Sequence, residues 1–444
     1  GDHRDLHSFP TRRSSDLAII CESPYQPLFL QRQYGSGGNE EFIQIWEGDY
    51  KTGTLILERN GVGADGSTVT YEVCVKSVLH TAVLGNTYAS AWAKDSELLL
   101  KNSDGIVLNR FVLDKYNQRV LKFNPGRQLE KGSLWKYTDL PAPDWSSSSY
   151  NDGGWSEAHP SSFPVIGSDV ITRYYRTTVN LPSDLTGYSS FEFSVYSRYG
   201  IVVYVNGEEI YRNNLPSSPV SETTTPSGDD GQFAYRRAFA SRHLLTTQTT
   251  LAVEIHYPQN HEIAQDQFNA YFSLVYGGTH RAFDGITSGT HQNDYGGEEG
   301  TNCFDDRRNT KWFMNGSPAE SVYTFNYKRA DFVNMYKIIY GNYDNNRRPR
   351  TFKLEGSNDG ISWELLDSRK SITPANLQAA LVFKMPHVRH GYKKFRITII
   401  ATSGSSGELF DISLYAIDMP LVEREPSFGR SFIFYPGQIG RAHV

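Results

Sequence analysis

The sequence lacks features that would fix its class at once. It has no run of about 18 apolar residues, so no helix is predicted to span a bilayer. Its formal net charge is only -5, so no chain-wide basic field for binding nucleic acid is indicated. Methionine is scarce (4), whereas Tyr (28), Phe (24) and Gly (38) are abundant. Because aromatic residues favour pleated strands and glycine favours turns, mostly β structure is predicted.

Motifs for common catalytic sites are also missing. The chain contains no G-x-S-x-G elbow, P-loop, dinucleotide-binding fingerprint or paired Cys-x-x-Cys. Its carboxylates are scattered and form no evident pair for acid–base chemistry. The run Ser357 to Gly360 carries Ser, Asn and Asp in a turn without a neighbouring histidine. The sequence therefore predicts a binding or adhesion role and no enzyme activity.

Cysteine is limited to 3 residues. Cys21 and Cys74 fall in the first part of the chain, and a disulfide between them is expected only if the protein is secreted. The alternative is that all three cysteines are buried thiols. Cys303 stands alone and is expected to be a small core residue.

The two ends of the sequence resemble translated sequencing adapters. Residues 7–17 read HSFPTRRSSDL and residues 439–444 read IGRAHV. We therefore expect residues 1–17 and 438–444 to be artefacts and exclude them from fold reasoning. On this interpretation the chain is an internal fragment, and the lack of a signal peptide says nothing about the parent protein.

The length between these ends suggests about three domains of ordinary size. Residues 18–126 contain short apolar runs, such as the alternation from Val69 to Val75, separated by turns rich in Gly, Asn and Asp. Even strand spacing of this kind predicts a β-sandwich, without resemblance to a particular family. Residues 420–437 are expected to begin a further domain.

A hairpin marks the centre of the second predicted domain, residues 127–277. Val202 to Val205 is nearly continuous apolar sequence, and Asn206-Gly207 is a strong hairpin signal. Five motifs resemble, in order and spacing, the galactose-binding-like jelly roll appended to many secreted phosphatases and surface proteins. They are GSLWKYTD (132–139), YNDGGW (150–155), RYYRTTVNLP (173–182), GIVVYVNGEEIYRNNLP (200–216) and LAVEIH (251–256). This resemblance implies a fold and specifies no function.

Two groups of side chains in this domain have a functional alternative. Four residues have side chains of the kinds that ligate metals, but their spacing matches no metal-site motif, and they are expected to lie in a loop without a metal: His256, His261, Glu262 and Asp266. Three tryptophans have rings able to stack on sugars, but core positions are favoured: Trp135, Trp145 and Trp155.

The best-formed hairpin of the chain lies at Arg350 to Asp367. Phe352 and Leu354 alternate with polar residues, as in a half-buried strand. The run SNDG then forms a turn, and Trp363 and Leu365 are expected to resume the alternation on the next strand.

The hairpin belongs to a series of motifs that keeps its order across residues 278–419. The series resembles the discoidin, or coagulation factor 5/8 type C, domain. Its members are FDDRRNTKW (304–312), VNMYKI (333–338), RRPRTFKLEGSNDGISWELL (347–366), YKKFRI (392–397) and ELFDISLY (408–415). The resemblance implies a sandwich that binds glycans, cell-surface groups or phospholipid head groups through loops at one end. The predicted fold class is all-β, with three tandem β-sandwich domains of the jelly-roll or galactose-binding-like kind.

The same resemblance implies a structural Ca²⁺ site with Asp305, Thr310 and Asp411 as ligands. Calcium takes six to eight oxygens, so backbone carbonyls would have to add to these three side chains. Two departures from the family pattern weigh against the site. Asp306 stands where glycine is usual, and Arg307-Arg308 would repel a cation unless their side chains turn outward.

Ligand binding is expected in loops beside the hairpin. Binding a sugar needs an apolar ring face together with hydrogen-bond donors. The candidates that supply these groups are Tyr343, Asn345, Arg347, Arg350, Phe313 and His291. The alternative is a structural ion pair for Arg350 and solvated side chains for the others. Residues 403–407, SGSSG, lack the aromatic residue that sugar-binding relatives often carry there, which weighs against glycan binding.

Together these features favour a non-catalytic recognition or adhesion protein, extracellular or at the cell surface, that binds carbohydrate or another surface ligand. An alternative is the accessory binding region of a larger secreted glycosidase or metallophosphatase. A third interpretation is a structural spacer in a surface array.

Overall fold

The architecture is taken from a computed structural model of the chain. The structure describes residues 21–22, 25–35, 41–61, 66–86, 96–111, 118–217, 219–228, 232–259, 267–278, 280–282, 285–289, 297–305, 310–326 and 328–422. These residues form 27 β-strands joined by turns and short 3-10 helices, so the prediction of an all-β protein is confirmed. Within these ranges no helix has the length and apolarity to cross a membrane. Tertiary contacts divide the chain into two compact units, Gly1–Pro125 and Gly126–Val444.

The first unit is a sandwich of two four-stranded sheets, ordered β4-β1-β6-β7 and β3-β2-β5-β8. Alternate residues of its strands, such as Leu28 and Leu30, meet in one core, as expected for period-two sequences. Cys21 and Cys74 are joined by a disulfide. The strands are β1 Tyr25–Gln33, β2 Glu41–Glu47, β3 Thr54–Asn60, β4 Thr68–Lys76, β5 His80–Asn86, β6 Glu97–Lys101, β7 Val107–Phe111 and β8 Gln118–Phe123.

The second unit begins with a sandwich whose larger sheet runs β10-β9-β11-β16-β13-β14. Its strands are β9 Trp135–Thr138, β10 Ser156–Ala158, β11 Thr172–Asn180, β12 Tyr188–Ser197, β13 Gly200–Val205, β14 Glu208–Asn213, β15 Ala234–Ser241, β16 Gln248–His256 and β17 Asn269–Tyr276. The predicted hairpin joins β13 to β14. Asn206 and Gly207 both have positive φ there (51° and 88°), as a tight hairpin turn requires.

The same unit contains a further sandwich, with sheets β18-β20-β26-β23-β24 and β19-β27-β22-β25. Its strands are β18 Gly285–Gly289, β19 Trp312–Met314, β20 Ala319–Phe325, β21 Arg329–Ala330, β22 Met335–Tyr340, β23 Pro349–Ser357, β24 Glu364–Arg369, β25 Ala380–Lys384, β26 Lys394–Thr402 and β27 Gly407–Tyr415. Cys303 is buried in its core. Of these strands, β21 pairs outside this sandwich.

The hairpin predicted at 350–367 is present as β23 and β24, but one detail of its alternation is wrong. Leu365 is 38% exposed, whereas Leu366 is 1% exposed and packs in the core. The register shifts between Leu354, opposite Asp367, and Glu355, opposite Leu365. This β-bulge inserts Leu366 as the extra residue and turns it inward, which strict period-two reasoning does not anticipate.

The two sandwiches of the second unit share structure. Strand β21 leaves the later sandwich and pairs in parallel with β15, extending the four-stranded sheet β17-β12-β15-β21. Phe239 of β15 is buried in the core of the later sandwich, and Ala330 of β21 in that of the earlier one. Each core therefore contains a residue contributed by the other sandwich.

Charged side chains are buried where the sandwiches meet. Asp331, which is 0% exposed, accepts hydrogen bonds from Arg281 Nε at 3.0 Å and from Arg329. Both guanidiniums and that of Arg237 lie within 5.3 Å of the centre of the Phe239 ring. Because buried charges are tolerated only when paired, Asp331 is needed to keep these cations buried, and their packing on Phe239 of β15 places the network where the two sandwiches meet.

A second buried ion pair lies on the adjoining sheet. Arg237 donates to the carboxylate of Glu192 at 2.6 and 3.1 Å, and Ser194 and Tyr271 each donate to it at 2.7 Å. Burial alone would raise the pKa of Glu192, but the attraction of Arg237 and these hydrogen bonds lower it to about 2.

Candidate functional site

Three of the predicted ligand-binding residues come together at one end of the later sandwich. The loop after β22 carries Tyr343, and a 3-10 turn at Asn345–Arg347 follows, capped by the Asp344 carboxylate. The Arg347 guanidinium lies 4.3 Å from the Tyr343 ring centre and 4.8 Å from that of Phe313. Phe313 is buried in β19, whereas Tyr343 is 69% exposed. The cation is therefore held between a buried and an exposed ring.

A buried carboxylate that the sequence analysis missed lies beneath this group. Glu408 of β27 is 2% exposed and accepts hydrogen bonds from the backbone N–H groups of Asn342 (2.9 Å) and Tyr343 (3.3 Å). It also lies 3.5 Å from both Arg347 Nη1 and Lys311 Nζ. We call Lys311, Phe313, Tyr343, Arg347 and Glu408 the Tyr343 cluster.

The backbone beside Glu408 is fitted to its carboxylate. A Cβ atom on Gly341 would lie 2.3 Å from Glu408 Oε1, closer than real contacts allow. The sequence signal for Glu408 is a carboxylate near the start of the last strand, GELFDISLY. This signal does not identify the residue's role, because its partners lie 61 to 97 residues earlier in the chain.

The other predicted ligand-binding residues are placed differently. Asn345 begins the 3-10 turn and Arg350 lies in β23, and both are exposed. Among the described residues, neither side chain has a hydrogen bond or ion pair with Tyr343. His291 lies outside the described residues. The geometry therefore brings together Tyr343, Arg347 and Phe313 from the predicted set.

The predicted calcium ligands lie near the buried Cys303. Asp305 follows the 3-10 turn Gly300–Phe304 and accepts a hydrogen bond from Thr310 Oγ1 at 2.6 Å. Asp411 is buried in β27 and accepts one from Ser413. Burial raises the pKa of the Cys303 thiol well above its usual value, and both carboxylates raise it further.

These groups do not by themselves make a calcium site. Two carboxylates and one hydroxyl fall short of the six to eight oxygens that the ion takes. In the part of the chain that the structure describes, no three His, Cys, Asp or Glu side chains are grouped to hold a metal ion. Residues 306–309, with Asp306 and Arg307-Arg308, lie outside the described residues.

The tryptophans of the earlier sandwich and its possible metal ligand His256 have structural positions. Trp135 is a core residue, as expected. Trp145 and Trp155 are half-buried and stack with ring centres 6.3 Å apart. His256 lies in β16 rather than in a loop, buried, with Nδ1 2.7 Å from the Thr224 carbonyl oxygen. The other predicted metal-ligand types of this group, 261–266, lie outside the described residues.

No protein-family model matches the chain, and no curated protein matches it either. Solved structures similar to part of it include the family 32 carbohydrate-binding module of AlyQ in complex with 4,5-unsaturated mannuronic acid (19% identity, 29% of this chain, 92% of that chain, TM-score 0.24). Another is the family 32 module from Clostridium perfringens NanJ in complex with galactose (16% identity, 30% and 95% covered, TM-score 0.26). A third is an F5/8 type C domain from Bacteroides fragilis (15% identity, 31% and 97% covered, TM-score 0.26).

Proposed function

We propose that the chain is a non-catalytic recognition protein that binds carbohydrate through the Tyr343 cluster. The observation that carries the proposal is the exposed Tyr343 ring backed by the Arg347 guanidinium at 4.3 Å. The flat face of an aromatic ring stacks on the apolar face of a sugar, and a guanidinium beside it offers donors to hydroxyl groups.

Hydrogen bonds hold the loop that presents Tyr343. The backbone N–H of Tyr343 donates a hydrogen bond to the Glu408 carboxylate, and the N–H of Asn346 donates one to the Asp344 carboxylate at 2.9 Å. A loop that is already ordered loses less conformational entropy on binding than a mobile one. This arrangement supports a role for the loop as a preformed binding surface.

A glycan array and a lipid overlay with the full chain test the proposal. We expect binding to glycans, and we expect Tyr343→Ala to weaken it about tenfold or more. The stacking contact contributes about 1 kcal/mol, and the apolar area lost with the ring adds to it, so the sum reaches the roughly 1.4 kcal/mol of a tenfold change. Tyr25→Ala is the matched control, since Tyr25 is also an exposed tyrosine (41%) beneath a cation, Lys76, but lies in the first unit. A blank array with folded protein, or equal binding by the two variants, would contradict the proposal.

We also propose that the protein works outside the cell or at its surface. The disulfide between Cys21 and Cys74 supports this location, because disulfides persist in oxidising compartments. Immunolabelling of intact cells before permeabilisation tests it, and a signal that requires permeabilisation would argue against it.

Calcium binding near Asp305 remains a prediction. Asp305, Thr310 and Asp411 would supply side-chain oxygens, with the remainder from backbone carbonyls or water. Isothermal titration with millimolar Ca²⁺ tests it, with Asp305→Asn as the control. Heat from the wild-type chain alone would support the site, and no heat from either protein would exclude it.

A further inference from the structure

We propose that Glu408 is the residue that sets the ligand selectivity of the Tyr343 cluster, by neutralising its cations and so favouring uncharged over acidic glycans. This inference rests on the proposed function and assigns a role to one residue within it.

The charges of the site are balanced around this one carboxylate. Glu408 lies 3.5 Å from Arg347 Nη1 and from Lys311 Nζ, and Lys311 also pairs with Glu298 at 3.0 Å. Two positive groups thus face two negative groups, and the formal charge of the set is zero. Glu408 is buried, whereas its two cations are partly exposed. The cations therefore reach the surface with their charge already compensated from below.

This arrangement determines which ligands bind more tightly because of the two cations. Arg347 still has N–H groups to donate to a neutral hydroxyl. A carboxylate or sulfate on a glycan would approach the same cations but would also meet the charge of Glu408, which no ion shell screens because the residue is buried. Without Glu408, the set would have a formal charge of +1, because Glu298 still pairs with Lys311, and it would attract an acidic sugar.

Glu408 also holds the loop in place, and the two roles can be separated by substitution. Its carboxylate accepts the N–H groups of Asn342 and Tyr343. In Glu408→Gln an amide oxygen can still accept these bonds, but the negative charge is gone. In Glu408→Ala both the acceptor and the charge are lost. A purely positioning role predicts that the alanine variant binds all glycans less well and that the glutamine variant leaves selectivity unchanged.

The experiment compares pairs of sugars that differ at C6, where one member has a hydroxymethyl group and the other a carboxylate. The probes are tetramers of galactose and of galacturonic acid, and tetramers of glucose and of glucuronic acid, titrated into the full chain by calorimetry at two salt concentrations. For wild type we expect preference for the neutral member of a pair. For Glu408→Gln we expect the ratio of acidic to neutral affinity to rise about tenfold, with the gain reduced at high salt.

Two further variants keep the test decisive. Lys311→Gln leaves Glu408 with one cation and should lower the ratio of acidic to neutral affinity, a change opposite to that expected for Glu408→Gln. Because Lys311 is partly exposed, this variant can still be measured if Glu408→Gln fails to fold. Glu355→Gln is the matched control, because Glu355 is also a largely buried carboxylate between two cations, Lys353 at 2.9 Å and Arg396 at 2.9 Å. It should leave the ratio unchanged.

The outcomes separate this inference from the function on which it rests. If wild type binds sugars but the ratio does not move in Glu408→Gln or Lys311→Gln, or if wild type prefers the acidic probes, the role of Glu408 is wrong and glycan binding stands. If wild type binds none of the probes and no glycan on the array, the proposed function and the role of Glu408 both fall.

Discussion

Replacing Asp331 with asparagine should destabilise the second unit by about 3 kcal/mol. The carboxylate is fully buried and bonded to Arg281 and Arg329, so the substitution leaves two buried guanidiniums without their counter-charge. At a charge separation of about 4 Å and an effective dielectric constant of about 20, one such pair is worth about 4 kcal/mol. Losses of about 3–5 kcal/mol are typical when one partner of a buried pair is removed. The lower end applies because the asparagine oxygen still accepts a hydrogen bond.

Urea unfolding of the full chain measures the change, and hydrogen exchange resolved to peptides locates it. We expect Asp331→Asn to lower protection in β15 and β21 together, since the network joins both strands. Asp49→Asn is the matched control, because Asp49 pairs with Lys122 at 2.6 Å on the surface of the first unit and should change stability by about 0.5 kcal/mol or less. A loss below about 1 kcal/mol for Asp331→Asn would refute the view that this buried network stabilises the second unit.

Three other predictions follow from buried or crowded positions. The pKa of Glu192 falls from 4.5 to about 2 on folding, so the ionised carboxylate adds at most about 3 kcal/mol to the free energy of unfolding. This stabilisation is present above pH 4.5 and is lost as the pH falls towards 2. Glu192→Gln should therefore flatten the acid side of a plot of urea midpoint against pH, and parallel curves would count against the ion pair. Gly341→Ala should displace Glu408 and weaken glycan binding about tenfold or more, whereas Gly154→Ala, with no atom within 4 Å of the new Cβ, should not; equal titrations would disprove the crowding argument. Reducing the disulfide of the first unit, which spans 53 residues, should destabilise that unit by about 4 kcal/mol in the chain-entropy model; an unchanged urea midpoint with dithiothreitol would show that it is not needed.

Local patterns were enough to predict most of the strands. The nearly continuous apolar run Val202 to Val205 and the Asn206-Gly207 turn located β13 and β14, and the SNDG run located the turn between β23 and β24. These patterns did not predict that Leu366, rather than Leu365, faces the core. A bulge depends on how the partner strand pairs, and that pairing is not encoded in the alternation of one strand.

The candidate site was only partly predictable for a related reason. Tyr343 and Arg347 are four residues apart, and their contact is local. Phe313 and Glu408 reach them from strands about 30 residues before and 65 residues after. The role of Glu408 depends on the antiparallel pairing of β27 with β22, and the sequence motifs do not specify that register.

The exchange of residues between the two cores limits how this region can be moved between proteins. A single sandwich that folds alone is a transferable cassette, which recombination can insert wherever the reading frame allows. A break between residues 277 and 278 would strip Ala330 from one core and Phe239 from the other, and would remove the ring on which Arg281 and Arg329 pack. Gene fusion or duplication would therefore have to carry both sandwiches together, and the heritable module is the pair.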